Sequence, residues 1–167
     1  MSLIEKAARL CCPIHRLECC AERLGNNKTV LLNSCSMSYQ EKVDVINCVQ
    51  QELYGEVEMR KLSYNDSKCC IVWKDNFNDE DETCFNNCIN TLGTPTIQAE
   101  AKIARMEKCK TRFPAIYGCF DECYNHYHDK YNGSVKFNFT QQCSQESFIE
   151  RLEPGEVYPI VTNFSHE

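Results

Sequence analysis

Fourteen cysteines are the reactive groups that dominate this chain of 167 residues. They are Cys11, Cys12, Cys19, Cys20, Cys35, Cys48, Cys69, Cys70, Cys84, Cys88, Cys109, Cys119, Cys123 and Cys143. Thiols can attack, bind zinc or pair. Attack needs a thiolate left free, and an even count pairs off completely. Structural zinc favours close thiolate pairs of the CxxC type, used twice. The chain has no CxxC. It has the adjacent pairs Cys11-Cys12, Cys19-Cys20 and Cys69-Cys70, and neighbouring residues rarely share one tetrahedral ion. It also has CxxxC at Cys84/Cys88 and Cys119/Cys123, a helical i,i+4 spacing that suits two parallel staples to a neighbouring element. Pairing is the chemistry these spacings favour. A chain this long buries a sizeable core without help, so the bridges do not merely replace a missing interior.

The histidines offer the other candidate chemistry. CCPIHRLEC at 11–19 resembles the active helix of secreted phospholipases A2, CCxxHDxC, with His15 as general base. Arg16 stands where the calcium-binding aspartate belongs, the next cysteine falls one residue late, and ten residues leave no room for an upstream calcium loop. Without calcium nothing holds the ester oxyanion. His126-Tyr-His128 lies near Asp121 and Glu122. Residues two apart on a helix point about 200° apart, so the two histidines cannot share an ion. Glu122 and His126 could, but a solvated polar face is the favoured reading. Tyr117, Tyr124, Tyr127 and Tyr131 recur at helical spacing and read as core packing; exposed, they would mark a recognition face. The expectation is therefore no catalytic residue, no metal and no cofactor.

The net charge is −6, from 18 Lys+Arg against 24 Asp+Glu. An acidic chain without a basic stripe disfavours a nucleic-acid partner. No run approaches 18 apolar residues, so no membrane-spanning helix is expected. MSLIEKAARLCC lacks a basic segment followed by an apolar core and does not read as a signal peptide. Five N-glycosylation sequons begin at Asn27, Asn65, Asn132, Asn138 and Asn163. With the even cysteine count they imply a secreted or extracellular glycoprotein whose leader is not in this sequence.

Helical signals position these groups. Ser2-x-x-Glu5 and Ser38-x-x-Glu41 are capping boxes. Ile14, Leu17, Ala21 and Leu24 repeat at helical spacing and Gly25 closes that run. Residues 25–37 and 54–68 read as loops, and CCIVW at 69–73 as a short helix or strand. Asp79, Glu80, Asp81 and Glu82 suit the positive end of a helix whose face carries Cys84, Phe85, Cys88, Ile89 and Leu92. Thr94 with Pro95 signals the next start, and Pro114 its stop. A last long helix, from about Ile116 to near Gly133, is followed by Val135, Phe137 and Phe139, which alternate as in a strand. Residues 143–152 fit one more helix, and the final residues an extended tail.

The cysteine order repeats. A doublet and four singles run from Cys11 to Cys48, and again from Cys69 to Cys119. LSYNDSKCC, ETCFNNC and CKTRFPAIYGCF in this arrangement resemble the DB module, a twelve-cysteine extracellular domain of nematode proteins, over about residues 9–121. Cys19 and Cys20 depart from that pattern by adjoining. The resemblance implies a non-catalytic extracellular protein. The expected fold is an all-α, disulfide-rich bundle of short helices. It comprises a domain at 1–121, with half-repeats at about 9–50 and 67–121, and an extension at 122–167. Cys123 and Cys143 lie outside the repeat and are expected to pair. The expected role is a secreted or cell-surface binding module with an extracellular protein partner. The alternatives are a carrier of a lipid or other small apolar ligand and a degenerate phospholipase-like fold.

Overall fold

The computed structural model describes residues 1–26, 32, 34–129 and 135–153. Those residues are all-helical. The α-helices are α1 (Leu3–Cys11), α2 (Leu17–Gly25), α3 (Tyr39–Tyr54), α4 (Glu56–Lys61), α5 (Thr83–Leu92), α6 (Ala99–Arg112), α7 (Pro114–His128), α8 (Phe139–Gln142) and α9 (Gln145–Ile149). Segments of 3-10 helix cover Ile14–Arg16, Tyr64–Trp73 and Glu80–Glu82. The chain divides into two compact units. The first is Met1–Ser67 with Ile89–Arg105; the second is Lys68–Cys88 with Met106–Glu167.

In the first unit α1 packs on α2 and α3. Both predicted capping boxes form. Ser2 Oγ accepts from Glu5 N–H at 3.2 Å while the Glu5 carboxylate accepts from Ser2 N–H at 2.9 Å. Ser38 and Glu41 exchange the same bonds at 3.1 and 3.0 Å. Each box satisfies two amides that the first helical turn leaves without partners. Ala7 and Ala8 are buried on α1, and their small side chains let helices approach closely. Leu24 of α2 and Val43, Ile46 and Val49 of α3 complete the core. Gly55 breaks α3 from α4 at φ +91° and ψ 170°, a conformation essentially restricted to glycine.

In the second unit α7 packs on α8 and α9. Trp73, Ile116, Phe120 and Cys123 are buried, and the Trp73 and Tyr117 rings meet at 6.1 Å between centroids. Pro114 opens α7 at a position where its missing N–H is harmless.

Several local expectations need correction. Residues 135–138 are irregular and Phe139 begins α8. The alternation of Val135, Phe137 and Phe139 reflects one buried ring rather than a sheet face: Phe137 is buried while Val135 is exposed. The loop expected at 54–68 contains α4 and the start of a 3-10 segment, and that segment continues through CCIVW. Thr94 and Pro95 lie in turns before α6, whose first residue is Ala99. Gly25 is the last residue of α2, with Asn26 as its cap. The tail at 154–167 lies outside the described residues.

Candidate interaction surface

All fourteen cysteines are bonded. The first six close among themselves: Cys11–Cys48, Cys12–Cys20 and Cys19–Cys35. The remaining eight pair as Cys69–Cys123, Cys70–Cys88, Cys84–Cys109 and Cys119–Cys143. Cys84 and Cys88 thus take different partners, one of them in the Cys69-Cys70 doublet, as their shared helix face requires. The expected Cys123–Cys143 bond is absent. Cys123 is completely buried in α7 and meets Cys69, whereas Cys119, one helical turn earlier, takes Cys143. Residues 122–129 and 135–153 therefore belong to the second unit's framework, and the division of the cysteines into twelve plus two fails.

The histidines assemble no catalytic group. His15 Nε2 lies 3.1 Å from Glu41 Oε2. Glu41 is the capping-box carboxylate, held below the usual range chiefly by the Ser38 backbone N–H, with His15 adding to it. Arg16 ends the 3-10 turn beside it. The His126 ring nitrogen contacts the Val135 carbonyl, and its ring packs edge-on against Phe137. His128 stacks on Tyr124 at 3.9 Å. Among the described residues no group of three or more His, Cys, Asp and Glu could hold a metal ion. Nor is any helix among them long and apolar enough to cross a membrane. Of the tyrosine stripe, Tyr117 is buried and Tyr127 Oη accepts from Phe137 N–H at 3.0 Å; Tyr131 lies outside the described residues. A hollow of about 350 Å³ in the first unit is lined by the charged Glu5, Arg9, Glu18 and Glu22 together with Met1, Ala21, Gly25 and Asn26, a largely polar lining.

Residues 74–82 of the second unit build a different kind of feature, one that the sequence reading missed. Phe77 is 59% exposed, yet its own N–H and the two residues after it are anchored. Phe77 N–H donates to the Arg151 carbonyl at 2.9 Å. The Asn78 amide donates to the Glu150 and Leu152 carbonyls at 2.8 and 2.7 Å. Buried Asp79 accepts from Cys84 N–H at 2.8 Å and from Arg112 at 3.3 Å, and Arg112 also donates to the Asn78 carbonyl at 3.0 Å. Asp75, Asp81 and Glu82 adopt positive φ of 58°, 61° and 51°, and such strain persists only where surrounding contacts over-determine it. Exposed Asp75, Glu80 and Asp81 surround the ring in sequence. Ile149, 51% exposed, lies beside the Glu150–Leu152 anchor. A large aromatic held into solvent on a rigid, acidic loop has the character of a binding anchor, since little ordering entropy is lost when it docks. The only sequence signal was the acidic run, which reads as a match for the positive end of a helix.

Bridges that use every cysteine and short packed helices define a disulfide-stapled, all-helical protein. The family model described as Caenorhabditis elegans Her-1 matches residues 1–147. The chain belongs to that family. Protein her-1 of Caenorhabditis elegans is 30% identical over 123 residues, which span 72% of this chain and 69% of that protein. The crystal structure of C. elegans HER-1 superposes with a TM-score of 0.65 at 27% identity, covering 84% of this chain and 97% of that one. These matches overturn the resemblance to the DB module. The doublet-and-singles order imitates that module, but the second cysteine set closes only with Cys123 and Cys143 included. The Her-1 family is one of signalling ligands and not of enzymes.

Proposed function

We propose that this chain is a secreted signalling ligand that acts by binding a cell-surface receptor through the Phe77 loop. Membership of the Her-1 family carries the ligand reading. Seven disulfides support an oxidising, extracellular setting. The rigid loop supports the choice of surface: Phe77 fills an apolar recess, and Asp75, Glu80 and Asp81 face basic groups around it. Charged rims chiefly set the rate of encounter, while the desolvated anchor sets the lifetime.

The test is saturable binding of fluorescently labelled protein to intact cells of the source animal, competed by unlabelled protein. Phe77→Ser is expected to weaken binding tenfold or more by faster dissociation. Raising the salt should slow association of the unaltered protein. Absence of saturable binding overturns the ligand reading. Saturable binding that Phe77→Ser leaves unchanged retains the ligand and rejects the surface.

A further inference from the structure

We infer that Asn138 carries an N-linked glycan, and that residues 138–142 form a locally closed turn whose hydrogen bonds leave its amide nitrogen available for the transfer. The proposal rests on the secreted reading above.

Asn138 is exposed and is the N-cap of α8, at φ −100° and ψ 101°. Its Oδ1 accepts from the hydroxyl of Thr140 at 2.7 Å and from Gln141 N–H at 3.2 Å. Its backbone N–H donates to Gln142 Oε1 at 3.0 Å, and its carbonyl accepts from Gln142 N–H at 3.0 Å. Every one of these bonds lies within five consecutive residues. Such Asx-type turns form from local sequence alone, so a nascent chain can adopt this one without its distant partners. The sequon hydroxyl is already on the asparagine carboxamide, and none of these bonds uses the nitrogen that reacts.

Asn65 provides the contrast. Its Oδ1 accepts from Asn47, and the hydroxyl of its sequon residue, Ser67, is buried against Tyr39 Oη at 3.3 Å. Those partners lie 18 and 28 residues away in sequence, so the sequon is held apart by the tertiary fold. Asn27, Asn132 and Asn163 lie outside the described residues.

The transfer is a substitution at C1 of an N-acetylglucosamine oligosaccharide linked to a polyprenyl diphosphate, catalysed by an oligosaccharyltransferase. The Nδ2–C1 bond forms and one Nδ2 proton is lost. The C1–O bond breaks, and the lipid diphosphate leaves with its electron pair. Oδ1 takes no part in the bond change. The glycosylated side chain therefore still accepts from Gln141 N–H, and the α8 cap survives modification.

The experiment is peptide mass spectrometry of the protein purified from the source animal, after glycosidase treatment in ¹⁸O water, with thiol titration of the same sample. Labelled aspartate at position 138 in most molecules is the expected result. In recombinant protein exported from insect cells behind an added leader, Thr140→Ala should abolish the label. Asn138→Asp should abolish it too, while retaining the cap and the melting temperature. Unmodified Asn138 in protein without free thiols overturns the glycan and leaves secretion standing. Free thiols in the native protein overturn the secreted reading and the glycan together.

Discussion

Replacing Lys102 with methionine should flatten the dependence of stability on pH above neutrality. Lys102 is completely buried in the first unit. Its Nζ donates to Gln50 Oε1 at 2.6 Å and to the Leu92 carbonyl at 3.3 Å. No carboxylate is among those two acceptors, and burial pulls its pKa from 10.5 down to about 8, with Asp66 and Glu58 opposing that shift. The folded pKa lies below the unfolded one. Below about pH 8 both states are protonated, and the folded state bears the full cost of holding the charge, about 3 kcal/mol for this difference. Between pH 8 and 10.5 the unfolded chain binds more protons, so stability rises with pH. From pH 7 to 9.5 the gain is about 2 kcal/mol. Lys102→Met removes that cost but leaves Gln50 Oε1 and the Leu92 carbonyl without this donor, a loss of about 1–3 kcal/mol. The two effects nearly cancel at pH 7. The discriminating quantity is the slope. Denaturant unfolding with disulfides intact at pH 7 and 9.5 should show the original protein gaining about 2 kcal/mol over the variant. Subtraction of the two profiles removes the tyrosines Tyr64 and Tyr117, whose pKa values burial raises. Parallel profiles would refute the argument, because they would mean that Lys102 titrates alike in both states.

Non-reducing digestion should yield peptides joined through Cys69–Cys123 and Cys119–Cys143; a Cys123–Cys143 peptide would sink the framework. Removing the Cys119–Cys143 bond as a double serine variant opens a loop of 24 residues and should cost about 3 kcal/mol by denaturant unfolding in the chain-entropy model. Asp79→Ala frees the Cys84 amide and Arg112, so it should lower stability by about 2 kcal/mol and speed amide exchange across residues 75–84. Unchanged exchange there would show that Asp79 does not hold the Phe77 loop.

Local signals were legible wherever their physics was local. Both capping boxes read correctly because four consecutive residues contain the whole interaction. The Cys84/Cys88 spacing foretold different partners because helix geometry alone forbids their union. The pairing of Cys123 was not legible. Counting assigned it to Cys143, but the choice between Cys119 and Cys123 depends on which turn of α7 faces each neighbour, a tertiary fact. The strand expected at Val135–Phe139 failed for a related reason, since five residues with alternating apolar character do not reveal whether a second strand exists to pair with them. The Phe77 surface was hidden because its rigidity comes from Arg112 and residues 150–152, more than 30 residues away.

Disulfides do not explain how Ile89–Arg105 joins the first unit, because that segment contains no cysteine. Polar contacts tie it there. Tyr54 Oη donates to the Thr96 carbonyl, Glu58 accepts from Ala99 N–H at 3.0 Å, and Lys102 reaches Gln50, whose own amide donates to the Leu62 carbonyl at 2.7 Å. A purely apolar contact would tolerate sliding of α6 along α3 by a turn. A buried ammonium does not, because any shift strands a charge without its acceptors at a cost of several kcal/mol. Lys102 thus bears the cost of its own burial and in return specifies position: within the first unit it fixes the register of Ile89–Arg105, a segment with no cysteine of its own.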